Sequence, residues 1–164
     1  MAATTSGTAK VTLPADNQIL ITREFNAPRR LVWTAYTTPE LVKRWWSGQK
    51  GTVTSADIDL RVGGKWRYVM VADGGFEVAF RGEFREIVPE ERLVNTEIFE
   101  GIPDADDHAG LVTVTLTEKD GGTFMEMLCE YRDKADRDAV IDSGMESGMQ
   151  ESMDALEQVA VSLA

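Results

Sequence analysis

The hydrophobic pattern of the chain changes period near Lys134. Between Gln18 and Tyr131 most segments alternate apolar and polar residues, which is the two-residue period of strands that bury one face. After Lys134 the apolar residues step by four or three, which is the period of an amphipathic helix. A sheet with one apolar face must cover that face, and this terminal helix is the longest element available to cover it. The pattern therefore predicts an α+β fold, with an antiparallel sheet packed against a long C-terminal helix.

Two short helices interrupt the strands near the start of the chain. The first strand is expected over residues 18–25, a helix from about Pro28 to Tyr36, and a second helix from Thr38 to about Trp46. The later strands are predicted over 53–62, 65–71, 76–84, 93–99, 111–117 and 123–131. The two helices should therefore follow the first strand, and the remaining strands should form hairpins.

Local signals refine this outline. Gly63 and Gly64 predict the turn of a hairpin, because glycine adopts positive φ at little cost. Ile87 has the wrong parity for its strand, which predicts a β-bulge near Arg85 or Glu86. A shorter helical stretch over residues 134–142 should precede the main terminal helix, which is expected to restart at a capping box formed by Ser143 and Glu146.

Small residues recur at every fourth position of the terminal helix. Gly144, Gly148 and Ser152 are adjacent to its methionines, and each glycine costs about 1 kcal/mol relative to alanine in a helix. Two interpretations stay open: a close approach to another backbone, or space for a ligand.

The length of 164 residues fits one domain, which would bury roughly 70% of its unfolded surface without disulfides. Residues 1–15 are expected to be a disordered tail, and residues 16–164 a single domain. The lone cysteine, Cys129, cannot form a bridge within the chain, and the first residues have no signal-peptide pattern. A cytoplasmic location is expected.

The charge balance narrows the class of partner. A formal net charge of −11 repels phosphate backbones, so nucleic acid is not an expected partner. No segment reaches the roughly 20 apolar residues of a membrane span. No metal or cofactor motif occurs, and His108 lies in an acidic loop where solvent exposure is expected. We assign no catalytic residue, no metal and no cofactor.

Four segments, in order along the chain, carry a resemblance to a known family. These segments are 23–46 (REFNAPRRLVWTAYTTPELVKRWW), 59–68 (DLRVGGKWRY), 82–94 (GEFREIVPEERLV) and 143–159 (SGMESGMQESMDALEQV). They resemble the bacterial homologues of the activator of the heat-shock protein 90 ATPase, a family of the START-like (SRPBCC, polyketide cyclase and ligand-binding) superfamily. The resemblance implies a helix-grip fold, in which a curved sheet of six or seven strands wraps around the C-terminal helix with a cavity between them.

The expected cavity makes an inward-facing set of residues candidates for ligand binding. Methionines adapt to varied apolar shapes, and aromatic rings bury a large area in fixed geometry, although both kinds of side chain also fill ordinary cores. We expect Trp66, Tyr68 and Phe80 to face the cavity and Trp45 to lie at its mouth. The full set of predicted pocket-lining residues is Trp45, Trp66, Tyr68, Met70, Phe80, Phe84, Glu97, Met125, Met127, Cys129, Met145, Met149 and Met153.

Two polar positions leave alternatives open. In the strand over residues 93–99, either Asn95 and Glu97 or the opposite parity (Val94, Thr96 and Ile98) faces the cavity. If Glu97 faces inward, an apolar setting would raise its pKa. Arg23 interrupts an apolar face, and a buried arginine needs an acidic partner, which could be Asp59 or a ligand acid.

Three functions follow as hypotheses, and the first is preferred. The chain could bind an apolar or aromatic small molecule in the cavity. The family resemblance implies a co-chaperone that stimulates the chaperone ATPase through its surface. A cyclase or dehydratase that uses Tyr68, Glu97 or Arg23 is the enzymatic alternative. Pairing of exposed sheet edges into a homodimer also stays open.

Overall fold

Eight antiparallel strands and four helices make up the fold in the computed structural model, which describes residues 7–164. The strands are β1 (Lys10–Thr12), β2 (Gln18–Phe25), β3 (Gly51–Ile58), β4 (Lys65–Ala72), β5 (Glu77–Val88), β6 (Arg92–Phe99), β7 (Gly110–Lys119) and β8 (Gly122–Glu130). The helices are α1 (Arg29–Thr37), α2 (Pro39–Trp45), α3 (Lys134–Asp142) and α4 (Met145–Ser162). A short 3-10 helix, Ala105–His108, lies between β6 and β7. The predicted α+β class is confirmed.

The strands form one sheet in the order β1-β2-β8-β7-β6-β5-β4-β3. The count of eight exceeds the six or seven expected, because Lys10–Thr12 pairs with β2 along its edge, Lys10 opposite Thr22. This stretch belongs to the tail over residues 1–15 that we predicted to be disordered, so that prediction is wrong for β1. The first six residues lie outside the described part of the chain. The two short helices consequently follow the second strand and not the first.

The turn between β3 and β4 begins earlier than the alternation suggested. β3 ends at Ile58, and the Asp59 backbone N–H donates to the Lys65 carbonyl at 2.9 Å. Leu60 and Val62, which belonged to the strand predicted over residues 53–62, are 40% and 63% exposed in this turn. Gly63 has a φ of 83°, which is the positive value that its sequence signal predicted.

The bulge in β5 is confirmed. The register between β5 and β6 shifts between Phe84 and Glu86, and Phe84 is paired with Asn95 while Ile87 is paired with Leu93. The extra residue places Ile87 on the same inner face as Phe84, which is buried at 4% exposure. The bulge therefore corrects the parity of the strand at the place where the sequence showed a conflict.

The terminal segment is two helices that are separated at Gly144. Gly144 has a φ of 81° and is the N-cap of α4, which has no side-chain cap. The predicted capping box is wrong, because the Ser143 hydroxyl donates to the Val140 carbonyl at the end of α3. Gly148 has no other atom within 4 Å of the position of an added Cβ, so the described residues make no close approach there.

Polar contacts attach α4 to the rest of the fold on two sides. On one side, the Ser152 hydroxyl donates to the Trp46 carbonyl at 2.7 Å, and the Gln49 N–H donates to the Glu151 carboxylate at 3.0 Å. The backbone of α4 also runs alongside α1 and α2 rather than along the strands. The helix is thus held from its flanks, and it stands away from the middle of the sheet.

On the other side, Arg23 of β2 joins the sheet to α4. Its side chain is 0% exposed, with Nη1 2.6 Å from Asp154 Oδ1 and Nη2 3.2 Å from Glu157 Oε1. The partner predicted from the sequence, Asp59, is wrong, since Asp59 forms an ion pair with Arg61 in the exposed turn. The apolar face of β2 is interrupted because this arginine contacts the helix above it.

Because Gly82 of β5 has no side chain, the Trp66 side chain of β4 can cross β5 and form a hydrogen bond with β6. Trp66 of β4 is paired with Gly82, and its indole Nε1 donates to the Thr96 carbonyl of β6 at 3.2 Å. A Cβ at position 82 would lie 1.9 Å from that carbonyl oxygen and 2.6 Å from Nε1. The indole therefore lies across the middle strand and reaches β6.

Removing both acidic partners of Arg23 should destabilise the fold strongly. With Asp154→Asn and Glu157→Gln, the buried guanidinium loses both carboxylates, and we expect the free energy of unfolding to fall by about 3–5 kcal/mol. Glu24→Gln is the control, because Glu24 pairs with Lys119 at the surface, where solvent screens the pair, and its loss should have a much smaller effect on stability. Urea denaturation measures both values, and equal losses would contradict the assigned role of Arg23.

Adding a methyl group at position 82 should separate the indole from β6. We expect Gly82→Ala to lower the free energy of unfolding by about 1–3 kcal/mol, because the Cβ overlaps backbone and indole atoms. Gly148→Ala makes the same chemical change in open space on α4 and should stabilise the protein by up to about 1 kcal/mol. Denaturant unfolding of the two variants gives the comparison. If Gly82→Ala left the stability unchanged, the Trp66 indole would not depend on the space above Gly82.

Candidate ligand-binding site

A cavity of about 740 Å³ lies between the inner face of the sheet and the helices. Seven strands, β2 to β8, contribute side chains to its lining, and so do all four helices. The cavity follows from the position of α4, which contacts α1 and α2 and leaves the middle of the sheet uncovered. Its volume is in the range of roughly 300–1,000 Å³ that is common for small-molecule sites.

Eleven of the thirteen predicted pocket-lining residues contribute to this cavity. They are Trp45, Trp66, Tyr68, Phe80, Phe84, Glu97, Met127, Cys129, Met145, Met149 and Met153. The other two, Met70 and Met125, have the predicted parity but lie in the closed core, at 8% and 1% exposure. Met125 is paired with Arg23, over which α4 closes, and Met70 is paired with Val53 of β3, on which α2 packs. Both side chains lie on the inner face of the sheet, as predicted. They do not line the cavity because they lie farther along their strands, where the core is closed.

Five aromatic rings form a continuous row along the cavity, which we call the aromatic row: Trp66, Tyr68, Trp46, Phe80 and Phe99. Consecutive ring centroids in this row are 4.8, 5.4, 5.6 and 5.1 Å apart. These separations are within the range for favourable aromatic pairs, so each ring fixes the orientation of its neighbour. The row offers a ligand flat apolar surfaces of defined geometry.

The open question of parity in β6 has a definite answer. Leu93, Asn95, Glu97 and Phe99 line the cavity. The bulge in β5 sets this register, since Phe84 is paired with Asn95 and Phe80 with Phe99. The Asn95 amide donates to the Thr96 carbonyl at 3.0 Å, whereas no described residue forms a hydrogen bond or ion pair with the Glu97 carboxyl. Glu97 is therefore a cavity-facing acid with no partner among residues 7–164.

Burial changes the acidity of Glu97. Desolvation raises the pKa of its carboxyl from 4.5 to about 7, as the sequence led us to expect for an inward-facing acid. Its side chain keeps some accessible surface because it borders the cavity, but that surface faces the cavity interior. Near neutral pH the Glu97 carboxyl is therefore partly protonated, whereas an ordinary surface glutamate is ionised.

Three phenols and a thiol lie within the electrostatic influence of Glu97. Burial, with a smaller contribution from Glu97, raises the pKa of Tyr68, and burial also raises the pKa values of Tyr36 and Tyr131. Burial likewise raises the pKa of Cys129 to about 12. All four groups are consequently neutral near pH 7 and can act as hydrogen-bond donors around the acid.

A polar cluster borders the cavity where the 3-10 helix meets α3. The His108 Nδ1 atom lies 2.8 Å from Asp136 Oδ1 and 3.3 Å from an Arg132 guanidinium nitrogen. Both His108 and Asp136 line the cavity. The prediction that His108 is simply exposed to solvent is wrong, because the loop before β7 folds back against α3 and leaves the imidazole partly buried.

The mouth of the cavity lies between the end of β6 and α3. Phe99 and Ile102 line the cavity and are 38% and 39% exposed, so they contact both the interior and solvent. Ala139 and Ser143 are exposed lining residues on the opposite side. Trp45, which we placed at the mouth, is instead only 5% exposed and donates from Nε1 to the Ala35 carbonyl at 2.9 Å.

Sequence reasoning missed a second group of lining residues. Tyr36 and Trp46 lie at the ends of the two short helices, where strand parity gives no orientation. Ile21, Val78, Val112 and Tyr131 could have been found by extending the inward parity of their strands, whereas Leu93 and Phe99 shared the undecided parity of Glu97. Residues of α3 could not, because the side of that helix facing the cavity depends on its angle to the sheet.

Other site types find no support in the described residues. No cluster of three or more potential metal ligands occurs within residues 7–164. None of the helices in this range is both long enough and apolar enough to cross a lipid bilayer.

The pH dependence of stability should report the burial of Glu97. The folded state holds the proton more tightly than the unfolded state, so the stabilising contribution is complete below about pH 4.5 and is lost as pH rises through about 7. The free energy of unfolding of wild type should therefore fall relative to Glu97→Gln across this window, by roughly 3 kcal/mol. Urea titrations at several pH values test this, and parallel profiles would refute it.

Comparisons with solved structures show how widely this architecture recurs. A crystal structure of a protein from Rhodobacter sphaeroides aligns with a TM-score of 0.86 at 26% identity, covering 95% of this chain and 99% of that one. A crystal structure of a Mycobacterium smegmatis protein aligns with a TM-score of 0.82 at 25% identity, covering 94% and 98% of the two chains. A solution structure from Arthrobacter aurescens, at 23% identity and a TM-score of 0.82, shares the fold over 93% of this chain and 91% of that one.

No curated protein matches the sequence. A family model does match, over residues 26–160, which include α1, the strands β3 to β8 and most of α4. The match covers the cavity-lining part of the chain and agrees with the resemblance carried by the sequence motifs. The chain therefore belongs to the family described as Activator of Hsp90 ATPase homolog 1-like protein.

Proposed function

We propose that this protein binds an apolar or aromatic small molecule in the cavity between the sheet and α4. The observation that carries the proposal is the cavity of about 740 Å³, lined mainly by apolar side chains, among them nine aromatic residues and four methionines. A well-formed apolar cavity with a few convergent polar groups is the usual form of a small-molecule site. The aromatic row provides flat surfaces, and Asn95, Glu97 and the neighbouring tyrosines provide polar contacts.

The architecture supports a finer description of the fold. The inner face of the sheet and the terminal helix lie on opposite sides of the cavity, which is the arrangement expected of a helix-grip, START-like domain. In such a fold the helix closes one side of the ligand site. Met145, Met149 and Met153 of α4 line that side, and their flexible thioethers can adapt to different ligand shapes.

The alternatives from the sequence remain separate hypotheses. Stimulation of the heat-shock protein 90 ATPase rests on the family description, and an ATPase assay with the chaperone of the same host would test it. For a cyclase or dehydratase, Tyr68 and Glu97 face the cavity, but Arg23 forms ion pairs with α4. A cytoplasmic location and a homodimer stay predictions.

A larger side chain inside the cavity should weaken the binding of an apolar probe. Val112 of β7 lines the cavity and is 5% exposed, so Val112→Phe should reduce its volume and weaken binding of the neutral dye N-phenylnaphthylamine by about ten-fold or more. Val62→Phe is the matched control, because Val62 is 63% exposed in the β3–β4 turn. Dye fluorescence gives both affinities.

Two results would count against the proposal. Wild type that binds neither this dye nor any ligand retained on purification from its own host would remove its basis. Equal affinities of the Val112→Phe and Val62→Phe variants would place the dye outside the cavity.

A further inference from the structure

We propose that the cavity selects an organic cation, meaning an apolar molecule with an ammonium group that pairs with Glu97 and lies against the aromatic row. This inference rests on the proposed function and specifies the chemical class of the ligand. It depends on three observations among residues 7–164: an acid without a partner, aromatic faces next to it, and a lining that contains no lysine or arginine.

The Glu97 carboxyl is the first observation. It points into the cavity from the middle of β6, and no described residue pairs with it. A buried carboxylate without a counter-charge is costly, and the group responds by holding its proton more tightly. A ligand that supplies a positive charge at this point would remove that cost. A neutral ligand would leave the carboxyl protonated or uncompensated.

The aromatic faces are the second observation. Trp66 donates from Nε1 to the Thr96 carbonyl, so its indole reaches the residue that directly precedes Glu97. Tyr68 lies 4.8 Å from Trp66, centroid to centroid, and Trp46 lies 5.4 Å from Tyr68. Aromatic faces attract ammonium groups, most strongly where water is excluded. The cation and its apolar substituents would therefore contact one continuous surface.

The charge of the lining is the third observation. Within residues 7–164 the lining contains Glu97, Asp136 and His108 and has no lysine or arginine. The groups that face Glu97, namely Tyr36 of α1, Tyr68 of β4, and Cys129 and Tyr131 from β8 and its end, are neutral near pH 7. The net charge of −11 adds a long-range attraction for cations.

The arrangement also discriminates against other ligand classes. At the rim, Asp136 is paired with Arg132, which lies outside the lining. A carboxylate or phosphate ligand next to Glu97 would meet an acid in a lining that has no lysine or arginine among the described residues, so its own charge would be uncompensated there. An alcohol could donate a hydrogen bond to the ionised Glu97 carboxylate, but it carries no positive charge to compensate that carboxylate. A cation should therefore gain more affinity than a neutral donor as Glu97 loses its proton.

The test uses two probes of the same shape that differ in charge. Benzyltrimethylammonium carries a permanent positive charge, and neopentylbenzene is its neutral carbon isostere. Displacement of N-phenylnaphthylamine from wild-type protein at about 0.15 M salt reports binding inside the cavity, while surface attraction is screened. At about pH 8 we expect the cation to bind about ten-fold more tightly than the isostere.

The pH dependence of binding gives a second, independent test. Because Glu97 titrates near pH 7, the cation must compete with a proton at lower pH. Its affinity should fall by about ten-fold from about pH 8 to about pH 6, while that of the neutral isostere should not fall. His108 and Asp136 at the rim also face the mouth, so Glu97→Gln is needed to assign the titration to Glu97. That variant should lose both the preference for the cation and its pH dependence.

Glu126→Gln is the matched control, since Glu126 is exposed on β8 and the substitution makes the same change of charge. It should keep the preference and the pH dependence of wild type. Neutral isostere binding as tightly as the cation at about pH 8, or a preference that survives Glu97→Gln, would overturn the inference. If neither probe nor the dye binds, the proposed function itself fails, so the two failures are distinguishable.

Discussion

The position of α4 relative to the sheet determines what this fold can do. Arg23 holds the C-terminal half of the helix through Asp154 and Glu157, and the segment after α2 holds the N-terminal half through Ser152. Both attachments are polar and directional, so they set the height of the helix without requiring its apolar side chains to contact the sheet. A helix held only by hydrophobic contact would close onto the sheet until side chains filled the space.

This arrangement separates structural from cavity-facing residues along one helix. Leu156 and Ala160 in the second half of α4 are fully buried and belong to the core. Met145 and Met149 in the first half line the cavity. The closed core therefore lies under the C-terminal half of α4, which Arg23 joins to the sheet. The cavity lies under the N-terminal half. Met125, paired with Arg23, lies on the closed side of this boundary.

The sequence contained most of this fold because strand parity and helix period are local properties. The faces of Trp66, Tyr68 and Phe80 and the bulge near Glu86 followed from alternation alone. The partner of Arg23 did not, because it lies 131 residues away in the chain, on an element whose rotation no local pattern encodes. His108 was misjudged for the same reason, as its burial depends on a loop that contacts α3.

The parity of β6 shows a second limit of local reasoning. Both faces of this strand are about equally apolar, so alternation could not decide whether Glu97 pointed inward. The register set by the bulge in β5 decides it, and a shift by one residue would have exposed every member of the inner face. An acid therefore lies in the cavity because of a bulge on the neighbouring strand.

The two sides of the cavity should contribute differently to recognition. On the sheet side, Trp66 is fixed by its bond to β6, and the rings of the aromatic row fix one another. On the helix side, Met149 is an unbranched chain that can change rotamer without disturbing α4. The helix side should then adapt to ligands of different shapes, and the sheet side should select the chemical class of the ligand. If the proposed site binds a ligand in this way, a change at Glu97 or Trp66 should alter the class of ligand, whereas a change at Met149 should alter the range of ligand shapes.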